Sequence, residues 1–230
     1  MNSFNQFNGG LAAGTLVTTP DGDMRIEDVK AGDLVLSGVG GCRTRSYEVN
    51  KVSANHYCGP MLKIVVNCSD YQFRATPNHI CFSSPSSLSL TDNAVFLYAF
   101  DGESELDEEN SLSHFICIAN SNKDAVDFSN LDQADKFARQ MAKANGGLEI
   151  KRFADFNQYY EPFNFMPATD LKVAMQVPVT KNETVESATI TRIDQEQYDG
   201  LVYDLDIPEA RNFAANGVLV HDSTRVLRCP

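Results

Sequence analysis

The feature that most limits how this chain can fold is an internal repeat. Displacing the sequence by 141 residues lays 49–66 (VNKVSANHYCGPMLKIVV) over 190–207 (ITRIDQEQYDGLVYDLDI) without a gap. Val49 meets Ile190, Val52 meets Ile193, Tyr57 meets Tyr198, Gly59 meets Gly200, Ile64 meets Leu205 and Val66 meets Ile207. Each copy reads as a strand, a Gly-containing turn and a second strand with apolar residues on alternate positions. Two copies so far apart imply two related β subdomains facing each other, not a solenoid of many short units.

Short strands surround the repeat. Leu16–Thr19, the turn Pro20-Asp21-Gly22, Arg25–Ile26 and Asp33–Ser37 precede a loop at Gly38–Gly41. After the second copy come a turn through Pro208–Arg211, Asn212–Ala215, the turn Asn216-Gly217 and Val218–His221. Asn-Gly between two apolar runs is a strong hairpin signal. The middle differs, because Leu131–Asn145 carries Ala134, Phe137, Ala138, Met141 and Ala144 at helical spacing before Gly146-Gly147 stops it. The expected fold class is therefore mainly β, with an α-containing insertion over about 84–180.

Composition agrees with one large domain or a domain carrying an insertion. The 230 residues are 43% hydrophobic, enough for a real core. No apolar run approaches the ~18 residues of a membrane span, and MNSFNQFNGG lacks the features of a signal peptide. A soluble protein with no visible address is expected. The net charge of −12 is lopsided. Residues 92–135 hold eleven acids against Lys123 alone, which is −10 of it. Such a field repels nucleic acid, and no nucleic-acid or membrane partner is expected. The six cysteines, at 42, 58, 68, 81, 117 and 229, form no C-x-x-C pair. Reduced, mostly buried thiols are expected, with no metal and no cofactor.

Three clusters carry chemistry in a fixed order: GLAAGT (Gly10–Thr15), ATPNHICF (Ala75–Phe82) and VYDLDIPEARNFAANGVLVHDS (Val202–Ser223). Together they resemble the inteins of the wider Hint (hedgehog–intein) superfamily. The first is similar to the intein opening, a nucleophile followed by Leu-Ala-x-Gly-Thr and then by an R-I-E-D-V segment and a G-D-x-V strand. Thr76-x-x-His79 is similar to the family's T-x-x-H motif. The last is similar to its closing pattern, V-Y-D-L, then N-F-x-A-N-G, then V-H and the splice residue. The resemblance implies a pseudo-twofold β horseshoe, made of 10–83 and 181–222, interrupted at 84–180 and flanked by extein segments 1–9 and 223–230. Its partners would be those flanks in cis, on a monomer located where its host protein is, the cytoplasm.

The resemblance also implies roles. Gly10 holds the position of the first nucleophile, which turns the junction amide into a more reactive ester. His79 would protonate the leaving nitrogen, and Thr76 would hold the junction carbonyl or its oxyanion. Asp204 would orient the junction for transfer to Ser223, the downstream nucleophile. His221 would promote cyclisation of the last intein residue, at Asp222.

Three positions depart from the pattern. Gly10 stands where the family has Cys or Ser, so the usual acyl shift has no side chain to use. Asp222 stands where it has Asn, so ring closure would give an anhydride in place of an imide. Arg211 replaces the histidine two residues before Phe213. A splicing-impaired precursor is therefore expected. The alternatives are a self-cleaving Hint domain that does not ligate, and a silent β scaffold with an acidic interaction insert. Within the insertion, Val95–Leu106 (VFLYAFDGESEL) resembles a LAGLIDADG endonuclease helix, with Asp101 and Glu103 as its metal-binding acids. Its charge argues for a degenerate remnant or an unrelated insert.

Overall fold

The computed structural model describes residues 9–67, 71–84, 94–101, 112–118, 126–128, 131–154, 156 and 163–222. The two repeat copies pair with each other. Strand Lys51–Val66 runs antiparallel to Thr184–Asp206 along nearly its whole length, with one irregularity between Ile190 and Arg192. In this register Cys58 faces Asp199, its own counterpart in the repeat, while Tyr57 faces Gly200 and Gly59 faces Tyr198. A pseudo-twofold axis therefore passes between Cys58 and Asp199.

The expected turns at Gly59 and Gly200 do not form, because both strands run straight through them. Each glycine instead makes room for a tyrosine ring. Tyr57 donates its O–H to the Pro60 carbonyl (2.8 Å), and Tyr198 donates to that of Leu201 (2.7 Å), each reaching over its glycine. A Cβ on Gly59 would lie 2.9 Å from the Tyr57 hydroxyl, and one on Gly200 3.1 Å from that of Tyr198. An aromatic ring covering a strand glycine recovers the packing that the missing side chain gives up.

Away from the axis the ribbon feeds the two halves of the body. Leu11–Ala12 pairs with Tyr203 and Val202 on one side and with Ala75 on the other. Gln72–Ala75 extends the ribbon at Leu62–Val65. Hairpins Leu16–Thr19/Gly22–Arg25 and Leu34–Val39/Arg43–Glu48 close over a core that includes Val17, Val35, Ile64, Phe73, Ile190 and Phe213. Gly38 lies in a strand, not in the expected loop, with Leu219 and Phe156 against the space a side chain would fill. Asn212–Ala215 and Val218–His221 form the hairpin read from the sequence. Its two turn residues, Asn216 (φ 47°) and Gly217 (φ 76°), both adopt the left-handed conformation a type I′ turn demands.

The middle segment adds strands in the order Val126–Phe128, Leu112–Ile118, Ala94–Asp101, Glu149–Ala154, and the last of these pairs through Phe153 and Ala154 with Phe163–Pro167, which joins them to the sheet of the body. Helix Leu131–Ala144 lies on these strands, with Ala134, Ala138 and Ala142 packed against Val95. Asp135 of the helix is buried and binds both Arg139 and Arg152 at 2.6 Å, tying the helix to the last strand. The part of the endonuclease-like stretch that is described, 95–101, is not helical: Ala94–Asp101 is a strand with neighbours on both edges. Its run of Val, Phe, Leu, Tyr and Phe has the residue types that favour a pleated surface. Glu103 lies outside the described residues.

The C-terminal part of 84–180 is woven into the body. Phe163–Pro167 pairs with Ile80–Ser83, Ser84 bridges Gln176, and Gln176–Lys181 pairs with Thr184–Thr189 and touches Val218. Cys81 is a buried free thiol, whereas Cys58 is exposed and Cys42 half-buried. No helix among the described residues is long and apolar enough to cross a membrane.

The Asn-Gly turn gives a direct test of this packing. A Cβ on Gly217 would overlap the Tyr71 ring, whereas one on Gly22, also at positive φ (114°), would meet nothing. Gly22→Ala is expected to cost only backbone strain, ~1 kcal/mol, and Gly217→Ala ~1–3 kcal/mol more, read by urea denaturation.

Candidate active site

Gly10 is held from two directions by one residue. Its N–H donates to Thr76 Oγ1 (3.0 Å), and its carbonyl accepts from the Thr76 N–H (2.9 Å). Thr76 and His79 open and close a tight turn, with the His79 N–H on the Thr76 carbonyl at 3.0 Å. Strand Phe163–Pro167 and the residues after it secure that turn, since Ala168 and Thr169 donate to the carbonyls of His79 and Pro77. The Thr76 hydroxyl thus meets the nitrogen of the 9–10 peptide bond. The family resemblance implies a place on the junction carbonyl or its oxyanion.

The residue before Gly10 is constrained more tightly still. Gly9 has φ 98°, and a Cβ there would lie 2.7 Å from His79 Cα and 3.0 Å from its nitrogen. Those are backbone atoms, and they cannot swing away. Across the strand, Asp204 follows Tyr203, the partner of Leu11, while a Cβ on Gly10 would face the Tyr203 carbonyl and Val202. Asp204 is buried, and its Oδ1 accepts from the Leu205 N–H at 2.9 Å.

His221 and Asp222 end the C-terminal hairpin. Val220 pairs with Cys81, which brings this strand beside the one that leaves His79. His221 lies against the rings of Phe82 and Phe165, with centroids 5.9 and 5.1 Å away. Asp222 is fully buried. Its N–H donates to the Arg211 carbonyl (3.1 Å), its Oδ2 accepts from the Ile207 N–H (2.9 Å), and Arg211 Nη1 stands 3.6 Å from that oxygen. Arg211 itself sits in the left-handed region at φ 57°.

Apolar surroundings set the protonation states. Burial pushes both His79 and His221 down to about 3, so both imidazoles are neutral at neutral pH. The guanidinium of Arg211 and the nearness of His79 add to the effect on His221. Burial pushes the Asp222 carboxyl up to about 7, with Arg211 opposing and Asp206 reinforcing the shift.

The fold therefore gathers Gly10, Thr76, His79, Asp204, His221 and Asp222 from four distant stretches of sequence. Ser223 and everything after it lie outside the described residues. His56 is exposed and pairs with Asp199 (2.9 Å), far along the ribbon. Sequence reasoning missed Asp206, which stands 3.5 Å from Arg211 Nη1, and the close packing at Gly9. A Gly-Gly pair at 9–10 was the only available signal for the latter.

A family model described as the intein splicing domain matches residues 15–222. The chain belongs to the intein family. Protein splicing, with the flanks of the same chain as substrate, is the activity that family carries. The intein shares its fold with the bacterial intein-like domain from Clostridium thermocellum, at 13% identity and TM-score 0.52 over 93% of this chain and 98% of that one. A DnaB intein from Synechocystis sp. PCC 6803 gives 11% identity and TM-score 0.51, over 93% and 98%. A DnaB mini-intein variant gives 12% and 0.52, over 96% and 99%. Among curated proteins, a probable translation initiation factor IF-2 from Pyrococcus abyssi is 48% identical over 42 residues. That match spans 18% of this chain and only 4% of that protein.

The buried titratable groups fix the sign of the acid response. Below their ordinary value of 6.5 the two histidines take up protons only in the unfolded chain, so stability falls as pH drops toward 3. Asp222 acts oppositely between 3.8 and about 7, where the folded chain keeps a proton the unfolded one has lost. Asp222→Asn removes this offset. It is expected to steepen the loss of stability between pH 6.5 and 4 by ~1.4 kcal/mol per pH unit, measured by urea titration across that range.

Proposed function

We propose that this chain is an assembled splicing domain held in its precursor form, with Gly10 and Asp222 in place of the two groups that start and finish the reaction. The observation that carries the reading is the clamp of Thr76 on both polar groups of Gly10, beside the neutral imidazoles of His79 and His221. Under this reading the groups around the junctions are in place, while Gly10, Asp222 and Arg211 depart from the family pattern.

The geometry supports a definite division of labour. Thr76 Oγ1, as acceptor of the Gly10 N–H, fixes the plane of the 9–10 peptide bond. A thiol or hydroxyl at position 10 would attack the preceding carbonyl, and neutral His79 would take its proton and deliver it to the departing nitrogen. Asp204, next to the partner of Leu11, would assist transfer of the acyl group to Ser223. His221 would then promote ring closure at residue 222. Without a side chain at Gly10 the first transfer has no nucleophile, so the sequence stops before ligation.

The chain also divides into parts under this reading. Residues 10–83 and 181–222 are the splicing fold, 84–180 is a passenger whose last strands have been absorbed into it, and 1–9 and 223–230 are the substrate. The acidic middle segment carries no endonuclease activity, and a monomer acting only on itself needs neither cofactor nor nucleic acid. Its location is that of the host protein.

Purified at pH 7, the chain is expected to keep its full 25.4 kDa mass for many hours. Loss of either flank, or a ligated product, within that time would sink the precursor reading. Gly10→Cys with Asp222→Asn is expected to restore ligation. A Cβ at position 10 would stand 3.1 Å from the Tyr203 carbonyl and 3.2 Å from Val202, so the restored chain should also be ~1 kcal/mol less stable. Cleavage without ligation would favour the self-cleaving alternative, and inertness the silent scaffold. In the restored chain, Gly9→Ala should slow the first step at least ~10-fold, because the junction can no longer seat against His79. An unchanged rate would show that the site does not read that residue.

A further inference from the structure

Asp222 is not simply a damaged asparagine, because the residues around it form a cage for a carboxylate. Arg211 Nη1 lies between two buried acids, 3.5 Å from Asp206 Oδ1 and 3.6 Å from Asp222 Oδ2. Arg211 is fixed by its backbone on both sides: its N–H donates to the Ile207 carbonyl, and its carbonyl accepts from the Asp222 N–H. Asp206 is fixed in turn by Asn50, whose Nδ2 reaches Asp206 Oδ2 at 2.6 Å and whose N–H reaches the Asp206 carbonyl at 2.9 Å. The Ile207 N–H completes the hold on Asp222 Oδ2 at 2.9 Å. Asp222 Oδ1 is buried and has no hydrogen-bond partner among the described residues. One carboxylate oxygen is anchored and the other is left uncommitted.

We propose that Arg211 is a positioning residue matched to aspartate at position 222, keeping that carboxylate charged and anchored so that the chain can slowly break its own 222–223 bond. This deepens the splicing-domain reading and rests on it. The uncommitted carboxylate oxygen attacks the Asp222 main-chain carbonyl carbon. A C–O bond forms, the C–N bond to Ser223 breaks, and the departing nitrogen takes a proton from water. The product is a five-membered cyclic anhydride, which water opens to a C-terminal aspartic acid. The net reaction is hydrolysis of one peptide bond. It releases the downstream flank over days and joins nothing.

The charged and titratable groups that act on Asp222 are Arg211 and Asp206. Beside it, His221 is influenced by His79 and by Arg152 of the middle segment. Arg211 and Asp206 should therefore move the ionisation of Asp222 in opposite directions, an effect that a purely structural role would not produce.

The test follows the Asp222 carboxyl carbon by ¹³C NMR against pH in the full chain, alongside mass spectrometry of 222–223 cleavage over several days. In the unaltered chain cleavage should rise with pH through the same midpoint as the carboxyl titration. Arg211→Met should raise that midpoint by ~1 unit or more, cutting cleavage at pH 7 about five-fold, and Arg211→Lys should bring it back. Should Arg211→Met fail to fold, Asp206→Asn serves alone, with a midpoint shifted downward. Midpoints that do not move, or move the same way in both variants, overturn the proposal, as does a chain that titrates but never cleaves up to pH 8.5. The splicing reading is tested on the Gly10→Cys, Asp222→Asn chain, which lacks this carboxylate, so either can fail without the other.

Discussion

The antiparallel ribbon of Lys51–Val66 with Thr184–Asp206 is the contact from which the rest of the structure hangs. It joins residues more than a hundred positions apart, and nothing local can stand in for it. One end carries Tyr203 and Asp204 to the edge where Leu11 and Gly10 lie. The other extends into Gln72–Ala75, whose last residue leads directly to Thr76. A one-residue slip would turn every side chain of the ribbon to the wrong face. It would also shift Asp204 relative to Leu11, so the register of a structural element is at the same time the alignment of the buried cluster.

Low polarity around the junctions is the second governing condition. Phe82, Phe165 and the hairpin strands exclude water from His221, and both histidines are neutral as a result. A neutral imidazole can take a proton from an incoming nucleophile and return it to a departing nitrogen within a single site. The same exclusion makes a carboxylate at 222 costly, and a guanidinium shared with Asp206 offsets part of that cost. Desolvation thus serves the histidines and penalises the aspartate within a few ångströms.

Elements governed by local rules were legible in the sequence. The hairpin 212–221 follows from Asn-Gly, and the helix over 131–144 from its apolar stripe and the glycines behind it. The grouping of Gly10, Thr76 and His79 came from a family resemblance, not from any local rule. Where tertiary context decided, reading failed. Gly59 and Gly200 look like turn residues until a tyrosine two positions earlier is seen to cover each one. Val95–Leu106 resembles a helix by its letters, but over 95–101 strands on both edges claim its backbone. The Arg211 cage was invisible because its members come from a strand end, a left-handed turn and the residue after the C-terminal hairpin. The packing at Gly9 depends on where the backbone of a distant turn passes.

The axis between Cys58 and Asp199 has a further consequence. A contact in which each residue faces its own counterpart is what two identical chains make in a symmetric dimer. The ribbon has that form within a single chain. A half-length ancestor bearing one copy of the repeat would have needed a second molecule of itself to complete the same structure. With both copies in one polypeptide, the contact forms without any dependence on concentration. The N-terminal half carries Thr76 and His79, and the C-terminal half Asp204, His221 and Asp222. Two unlike sets of side chains thus sit on a scaffold whose geometry treats the two halves as equals.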